Sequence, residues 1–239
     1  MSQSNVRNVL GILGGMGPLS SAEFLKTIYE QPPENQREQD SPAVMVYSDP
    51  AFPDRTEAFL KGDYDLVLEK LEEALTCLLS MGATRIVICC VTIHYLLPRL
   101  PGELRSRIIS VLDVIFDQLS TSRQKHLLVS SIGTQKLKLF QSHEQWDSAR
   151  DLIVFPDESD QHQMHALIYQ IKNNRCLDEA SSFLESMLTK YEVNAYITGC
   201  SELHMLSKHF LMDHERRRKF KSLDPFEFIA KQMPEGYLK

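Results

Sequence analysis

Apolar residues along this chain fall in short runs, each ending on a glycine, a cysteine or a polar turn. Val9-Leu10-Gly11-Ile12-Leu13-Gly14 is too short and too apolar for a surface helix and reads as a buried strand. A glycine turn, Gly15-Met16-Gly17-Pro18, follows it, and Ser20 or Ser21 caps a helix with Phe24, Leu25 and Ile28 on one face. Residues 31–41 are polar and proline-bearing, a loop. A second strand covers 43–48, and Asp49-Pro50-Ala51-Phe52-Pro53-Asp54-Arg55-Thr56 is a loop with an arginine near its end. Over 57–80, Leu66, Leu71, Leu75, Leu78 and Leu79 recur at helical spacing after a break at Gly62, and Gly82 ends the helix. Arg85-Ile86-Val87-Ile88-Cys89-Cys90 is a third strand.

The pattern then restarts. A strand over 108–112 and a helix over 113–119 lead into Leu127-Leu128-Val129-Ser130-Ser131-Ile132-Gly133-Thr134, which mirrors the first strand and its glycine turn. A strand over 152–156, polar residues 157–163, helices over 165–173 and 177–191, and an apolar run from Asn194 to Cys200 follow. The tail from 220 holds a helix with Phe226, Phe228, Ile229 and Met233 that should pack back on the first half. Strands alternating with helices predict an α/β fold with mainly parallel sheets. In such sheets ligands bind beyond the carboxyl ends of the strands, where the glycine turn, Arg55 and Cys90 all fall.

Two stretches are near copies. Cys90-Val91-Thr92-Ile93-His94 and Cys200-Ser201-Glu202-Leu203-His204 each follow an apolar strand and lie about half the chain apart. That spacing suggests an internal duplication with one thiol at the same place in each half. No low-complexity linker separates the halves, so a site should lie in the cleft between them. The expected division is an N-terminal domain, 1–106, joined by a tail, 210–239, and a second domain, 107–209.

Composition narrows the chemistry. With 239 residues, 43% hydrophobic and 24% charged, the chain can bury a substantial core. A net charge of −6 argues against nucleic acid or an anionic membrane as partner, and no apolar run reaches the ~20 residues of a membrane span. The first eight residues are polar and lead into a strand, unlike a signal peptide, so a cytoplasmic location is expected. The five cysteines form no even framework and no Cys-x-x-Cys spacing, so free thiols are expected. Cys77 and Cys176 read as small hydrophobes, and Cys89 as a core residue.

The glycine turn fits a dinucleotide fingerprint poorly, because Ser20 stands where Gly or Ala belongs and Pro18 interrupts the loop. No Gly-Lys-Ser/Thr follows, which excludes a P-loop. Gly15 and Gly17 instead let backbone amides approach a small anion, and Arg55 could clamp a carboxylate. Two thiols in one cleft can act as base and acid on opposite faces of a weakly acidic carbon, and no cofactor or metal is needed for that. Three other readings stay open on the residues alone: a metal site of Cys90, His94, Cys200 and His204, a Cys-His nucleophile, and a non-catalytic binding module.

The chain also resembles the cofactor-independent aspartate/glutamate racemases over nearly its whole length. Gly11 to Pro18 looks like that family's first strand and loop, and Pro53-Asp54-Arg55-Thr56 like its Pro-Asp-Arg-Thr loop. Cys90-Val91-Thr92-Ile93-His94 falls on Cys-Asn-Thr-Ala-His, Gly199-Cys200-Ser201-Glu202-Leu203 on Gly-Cys-Thr-Glu-Leu, and Ile168-Tyr169-Gln170-Ile171-Lys172 on the helix bearing a substrate-binding lysine in aspartate racemases. The resemblance implies two pseudosymmetric three-layer α/β/α domains, a homodimer, an acidic amino acid as substrate, and catalysis by Cys90 and Cys200. Arg55, Lys172, Met16, Gly17, Thr92, Gly133, Thr134, Ser201 and Glu202 are its implied substrate contacts. It assigns Cys200 to the L form and Cys90 to the D form. Three positions depart from the family: Val91 replaces Asn and removes a polar contact, Ile93 replaces Ala and should add bulk beside the site, and His204 stands where Pro is common.

Overall fold

The computed structural model describes residues 8–31 and 37–233. Expectations for the first seven residues, the middle of the 31–41 loop and the end of the tail lie outside them. The first sheet is built from β1 (Val9–Gly14), β2 (Ala43–Ser48), β3 (Arg85–Ile88) and β4 (Ile108–Ile109), in the order β2-β1-β3-β4. The second uses β5 (His126–Ser130), β6 (Ile153–Val154), β7 (Ala195–Gly199) and β8 (Lys221–Leu223), in the order β6-β5-β7-β8. Every described pairing is parallel. The two orders superimpose strand for strand, as the duplicated pattern predicts.

A parallel strand needs a crossover, and the helices supply it. In the first half these are α1 (Pro18–Glu30), α2 (Arg55–Lys61), α3 (Tyr64–Ser80) and α4 (Gly102–Arg105). Next come α5 (Val111–Thr121), α6 (Ile132–Lys136), α7 (Trp146–Ala149), α8 (Glu158–Ile171) and α9 (Leu177–Lys190). The chain finishes with α10 (Glu202–Phe210), α11 (His214–Lys219) and α12 (Pro225–Gln232). Covered on both faces, β5 and β7 are buried at every residue, which is why they read as continuous apolar runs rather than alternating ones.

One apolar cluster passes between the sheets. It joins Leu10 and Ile12 of β1, Val87 of β3, Leu128 of β5 and Ile197 of β7 to Phe24 of α1, Ile115 and Phe116 of α5, and Phe226 and Ile229 of α12. Two outer clusters close the other faces, one with α2 and α3, the other with α8, α9 and α10. Each of these fully buried side chains is stabilised by about 1.5–3 kcal/mol relative to exposure.

Several boundaries differ from the periodic pattern for identifiable reasons. Gly62, at φ +82°, caps α2 in the left-handed region, so 57–80 is two helices; the buried stripe of α3 is Val67, Leu71, Ala74, Leu75 and Leu78, and Leu66 is exposed. Ser110 Oγ accepts from the Asp113 amide and starts α5 at Val111, which cuts the strand expected over 108–112 to Ile108–Ile109. Asp157 Oδ1 accepts from the Asp160 amide and starts α8 six residues before the apolar pattern begins. Sheet membership also departs from the expected division at 106 and 209: β4 extends the first sheet and β8 the second. The tail helix α12 packs on α1 of the first half and on α5.

Asp224 anchors that tail. Its Oδ1 accepts from the Phe226 amide at 3.0 Å, and its Oδ2 accepts from His204 Nδ1 at 2.7 Å, both groups being buried. His204 Nε2 lies 2.9 Å from Thr27 Oγ1 of α1. Thus the histidine where proline is common ties α10, α12 and α1 together. Burial opposes the Asp224 charge, yet His204 and the two amides hold its pKa below the usual carboxylate value. Asp224→Ala strands a buried imidazole N–H and the first amides of α12, and should cost about 2–4 kcal/mol in urea unfolding. The native contribution is complete above the unfolded carboxylate value of ~4 and should fade as pH falls below it. A loss under about 0.5 kcal/mol would remove Asp224 from this role.

Candidate active site

Both cysteines follow directly from the inner strands. β3 ends at Ile88, and Cys89 and Cys90 lead into a 3-10 helix, Thr92–Arg99. β7 ends at Gly199, and Cys200 and Ser201 lead into α10. Because all strands are parallel, β1, β3, β5 and β7 open toward the same cleft. Met16, Arg55, Cys90 and Thr92 line it from the first half, and Ser131, Lys172, Cys200 and Glu202 from the second. Both thiols are free and nearly inaccessible, at 6% exposure for Cys90 and 8% for Cys200. The space left among these side chains is about 20 Å³, on the scale of a single water molecule.

Arg55 is buried at the start of α2, where its Nη1 donates to Pro53 O at 2.8 Å and its Nη2 to Met16 O at 2.7 Å. Its Nε has no partner. Burial works against the guanidinium charge, but Cys90 beside it, with Asp54 and Glu202, keeps its pKa raised. The second cation, Lys172, stands at the C-cap of α8. Its Nζ lies 4.0 Å from the centre of the Tyr169 ring and 3.8 Å from Asp54 Oδ2. Tyr169 Oη donates to that same oxygen at 2.7 Å, bridging the two halves. Burial and the Asp54 carboxylate push the Tyr169 hydroxyl up, so it stays a donor.

The two thiols differ in their partners. Cys200 Sγ donates to Glu202 Oε2 at 2.8 Å, and burial, then the Glu202 charge, push this thiol well up. Cys90 has the Arg55 guanidinium instead. A hydroxyl cluster joins the halves beneath them, with Thr92 Oγ1 3.2 Å from Ser131 Oγ and 3.0 Å from Thr134 Oγ1.

Of the residues expected at the site, Met16, Arg55, Cys90, Thr92, Lys172, Cys200 and Glu202 reach the cleft lining. Gly17, Gly133, Thr134 and Ser201 stand behind it. Gly17, at φ +153°, lies so close to Glu202 that a β-carbon would collide with Oε1. Gly133 packs against Thr56, Thr134 against Thr92 and Ser131, and Ser201 donates to Glu202. Asp54, Thr56, Ser131, Ile168 and Tyr169 also line the cleft without having been singled out. Tyr169 was within reach of the pattern, since it precedes Lys172 by three residues at the end of one helix. Asp54 was hidden as the N-cap beside Arg55.

One expectation is corrected here: Ile93 adds no bulk to the cleft lining, and Val91 likewise lies off it. The 3-10 turn aims Thr92 inward and sends Val91 into the core between the sheets and Ile93 into the α2–α3 core. The histidines are also engaged elsewhere. His94 Nδ1 lies 3.0 Å from Cys90 O, and its Nε2 accepts from the Val111 amide at 3.2 Å, so Nδ1 carries the proton. Among the described residues, no group of three or more His, Cys, Asp and Glu side chains is placed to hold a metal ion.

The model of the Asp/Glu/hydantoin racemase family matches residues 13–232. The chain belongs to this family. Similar solved structures include aspartate racemase from Picrophilus torridus, at TM-score 0.79 and 20% identity over 97% of this chain and 96% of that one. An aspartate racemase homologue from Pyrococcus horikoshii OT3 follows at 0.65 and 17%, over 96% and 98%. Glutamate racemase from Campylobacter jejuni subsp. jejuni matches at 0.64 and 17%, over 95% and 85%. At these identities the likeness is one of fold: two parallel sheets flanked by helices. It supports the two-domain arrangement that the duplication predicts. For this racemase-family chain, no helix among the described residues is long and apolar enough to cross a membrane.

Burial lowers the pKa of His94 to about 4, so it is neutral in the folded chain at neutral pH. An unfolded histidine titrates near 6.5, so the unfolded state binds the extra proton first, and stability should fall as pH drops from ~6.5 toward 4. Nitrogen-15 NMR at pH 6 should find His94 neutral with the proton on Nδ1. A charged ring at that pH would contradict the assignment.

Proposed function

We propose that this chain racemises an acidic amino acid, aspartate foremost, by a two-base mechanism that uses Cys90 and Cys200 and no cofactor. The observation that carries this reading is a pair of thiols, one from each half, lining one closed cleft with two cations. Family membership supports racemisation of an acidic amino acid; the choice of aspartate and the roles below follow what the resemblance to aspartate racemases implies, and they are compatible with the side chains that line the cleft.

A proton α to a carboxylate is weakly acidic, and the charge left behind must be met by fixed donors. In this proposal Arg55, whose Nε is unpartnered, meets the α-carboxylate beside Cys90. Lys172, poised between Asp54 and Tyr169, takes the side-chain carboxylate. Thr92 and the backbone of the Gly15–Gly17 turn supply further donors. Cys200 removes the proton from the L enantiomer while Cys90 gives one to the opposite face, and the roles exchange for the D enantiomer. The closed cleft has no room for a four-carbon dicarboxylate, so the halves must part to admit substrate. Closure then excludes the water that would weaken these charge contacts.

Three measurements test the reading. Cys90→Ala and Cys200→Ala should each abolish interconversion of L- and D-aspartate followed by chiral chromatography, and the double variant should be hardly worse than either. If Cys200→Ala racemises at near wild-type rate, the two-thiol mechanism fails. Arg55→Ala and Lys172→Ala should each cost about 2–4 kcal/mol in kcat/KM for aspartate. Alanine turned over as fast as aspartate by the wild type would exclude a dicarboxylate preference. Activity should also survive exhaustive chelation and dialysis, whereas a cofactor absorbance band required for turnover would refute the mechanism.

A further inference from the structure

We propose that the groove between α11 and the start of β8 binds a small diphosphate-type anion, at a site separate from the cleft. Its walls are His214, Arg217, Arg218 and Lys221, around a space of about 470 Å³. No residue of this lining belongs to the cleft lining. Lys221 opens β8 beside Ala195 of β7, at the edge of the parallel sheet opposite to the one from which Cys200 emerges. The site therefore stands apart from the two-thiol reading.

The chain as a whole carries a net charge of −6, yet residues 214–221 hold five of its 26 lysines and arginines and one of its 32 acids. His214, Arg217 and Arg218 are spaced i, i+3 and i+4, so they share one face of α11. Lys221 joins them from the strand. The other two cations of the segment have partners of their own. Arg216 Nε donates to Glu185 Oε2 at 2.9 Å, and its guanidinium lies 5.1 Å from the centre of the Phe210 ring. Lys219 Nζ stands 4.8 Å from the centre of the Phe220 ring. Of the nearby acids, Asp213 is occupied as the N-cap, accepting from the Arg216 amide, and Glu215 is not in the lining. Among the described residues, no hydrogen bond or ion pair engages the side chains of Arg217, Arg218 or Lys221.

Two ordinary explanations fall short. The helix dipole favours cations in the last turn of α11, which accounts for Arg217 and Arg218 but not for Lys221 in the strand or His214 at the first position. A merely solvated face would let like charges spread apart. Here they converge on one concavity, at a cost in repulsion that a bound anion relieves. A guanidinium meets phosphate oxygens through two parallel N–H donors, and a lysine adds a point charge. Three permanent cations and an imidazole match a ligand with more than one negative charge. The volume is on the scale of small-molecule sites, roughly 300–1,000 Å³, and exceeds what orthophosphate fills. With no aromatic or aliphatic side chain in the lining for a base or an acyl chain to rest on, recognition falls on the phosphates. Beyond the groove the acidic surface of the chain repels an extended polyanion such as a duplex or an anionic bilayer.

The test is calorimetric titration of the full chain with sodium pyrophosphate and with ADP, at low salt and without added metal. Each should bind at one site per chain, and more weakly as sodium chloride is added. Arg217→Ala and Arg218→Ala should each raise Kd about 10- to 100-fold, the scale of a lost charge-assisted hydrogen bond, and Lys221→Gln should raise it less. All three side chains are exposed, so the far-UV circular dichroism of the variants should match the wild type. Lys61→Ala, which removes an exposed lysine outside the groove, should leave Kd unchanged. Equal affinities for pyrophosphate and ADP would make the diphosphate the whole of what is recognised, and tighter binding of ADP would add a nucleoside; both support the site. Binding lost in Lys172→Ala or displaced by aspartate, with Arg217→Ala unaffected, would move the anion to the cleft and overturn the inference. So would the absence of saturable binding at millimolar pyrophosphate and ADP, or a Kd that Arg217→Ala and Arg218→Ala leave unchanged. Binding of phosphatidylserine vesicles or a single-stranded oligonucleotide, with neither small anion bound, would overturn it in favour of a macromolecular partner. A chain that racemised no amino acid would refute the two-thiol reading and leave each of these outcomes as decisive as before.

Discussion

All-parallel pairing is the constraint on which the site depends. In a parallel sheet every strand ends on the same edge, so whatever follows those strands is gathered there. The chain builds this edge twice, and the core between the sheets, shared by α1, α5 and α12, holds the two edges against each other. Cys90 and Cys200 are simply the residues just beyond β3 and β7. Neither needs a long loop or a strained backbone to reach the cleft.

Similar positions are then given unlike surroundings. At Cys90, the loop after β2 brings Arg55 in from α2, and the guanidinium is fixed by the carbonyls of Pro53 and Met16. At Cys200, the first residue of α10 turns its carboxylate toward the thiol. A duplicated fold has therefore given its two thiols unlike neighbours, a guanidinium at one and a carboxylate at the other. Contacts between the halves keep this cleft closed, notably the Tyr169–Asp54 hydrogen bond and the hydroxyls of Thr92, Ser131 and Thr134. The hydroxyl contacts are worth about 1 kcal/mol each, and the Tyr169 bond to the Asp54 carboxylate about 1.5–3 kcal/mol.

Further from the chemistry, buried polar groups serve the scaffold. His94 links Cys90 to the start of α5 as a neutral ring, and His204 links α10 to the tail through Asp224. Their matching place in the two copies of Cys-x-x-x-His left a metal site and a Cys-His nucleophile open on the residues alone. Instead, each imidazole is bonded away from the cleft, His94 to the Val111 amide at the start of α5 and His204 to Asp224 and to Thr27 of α1.

Seven of the eight strands, the parallel class, the duplication and the two thiols could be read from the order of residues, because each depends on local pattern: apolar runs, turn residues behind them, and repetition half a chain apart; the short strand Lys221–Leu223 could not. Arg55 and Lys172 were also legible, since family motifs carry them. Other features were not, because they depend on which distant elements meet. Nothing near Gly17 in the chain says that a carboxylate from α10 will occupy the space its missing β-carbon leaves. Nothing near Lys172 says that Asp54 will stand 3.8 Å away. The outward turn of Val91 and Ile93 follows from a 3-10 helix whose faces are set by two separate cores. Strand membership of β4 and β8 is likewise a matter of which neighbour lies alongside. Local periodicity specifies what an element is and which face it buries, while the partners across a cleft are decided only when two cores, far apart in sequence, pack against one another.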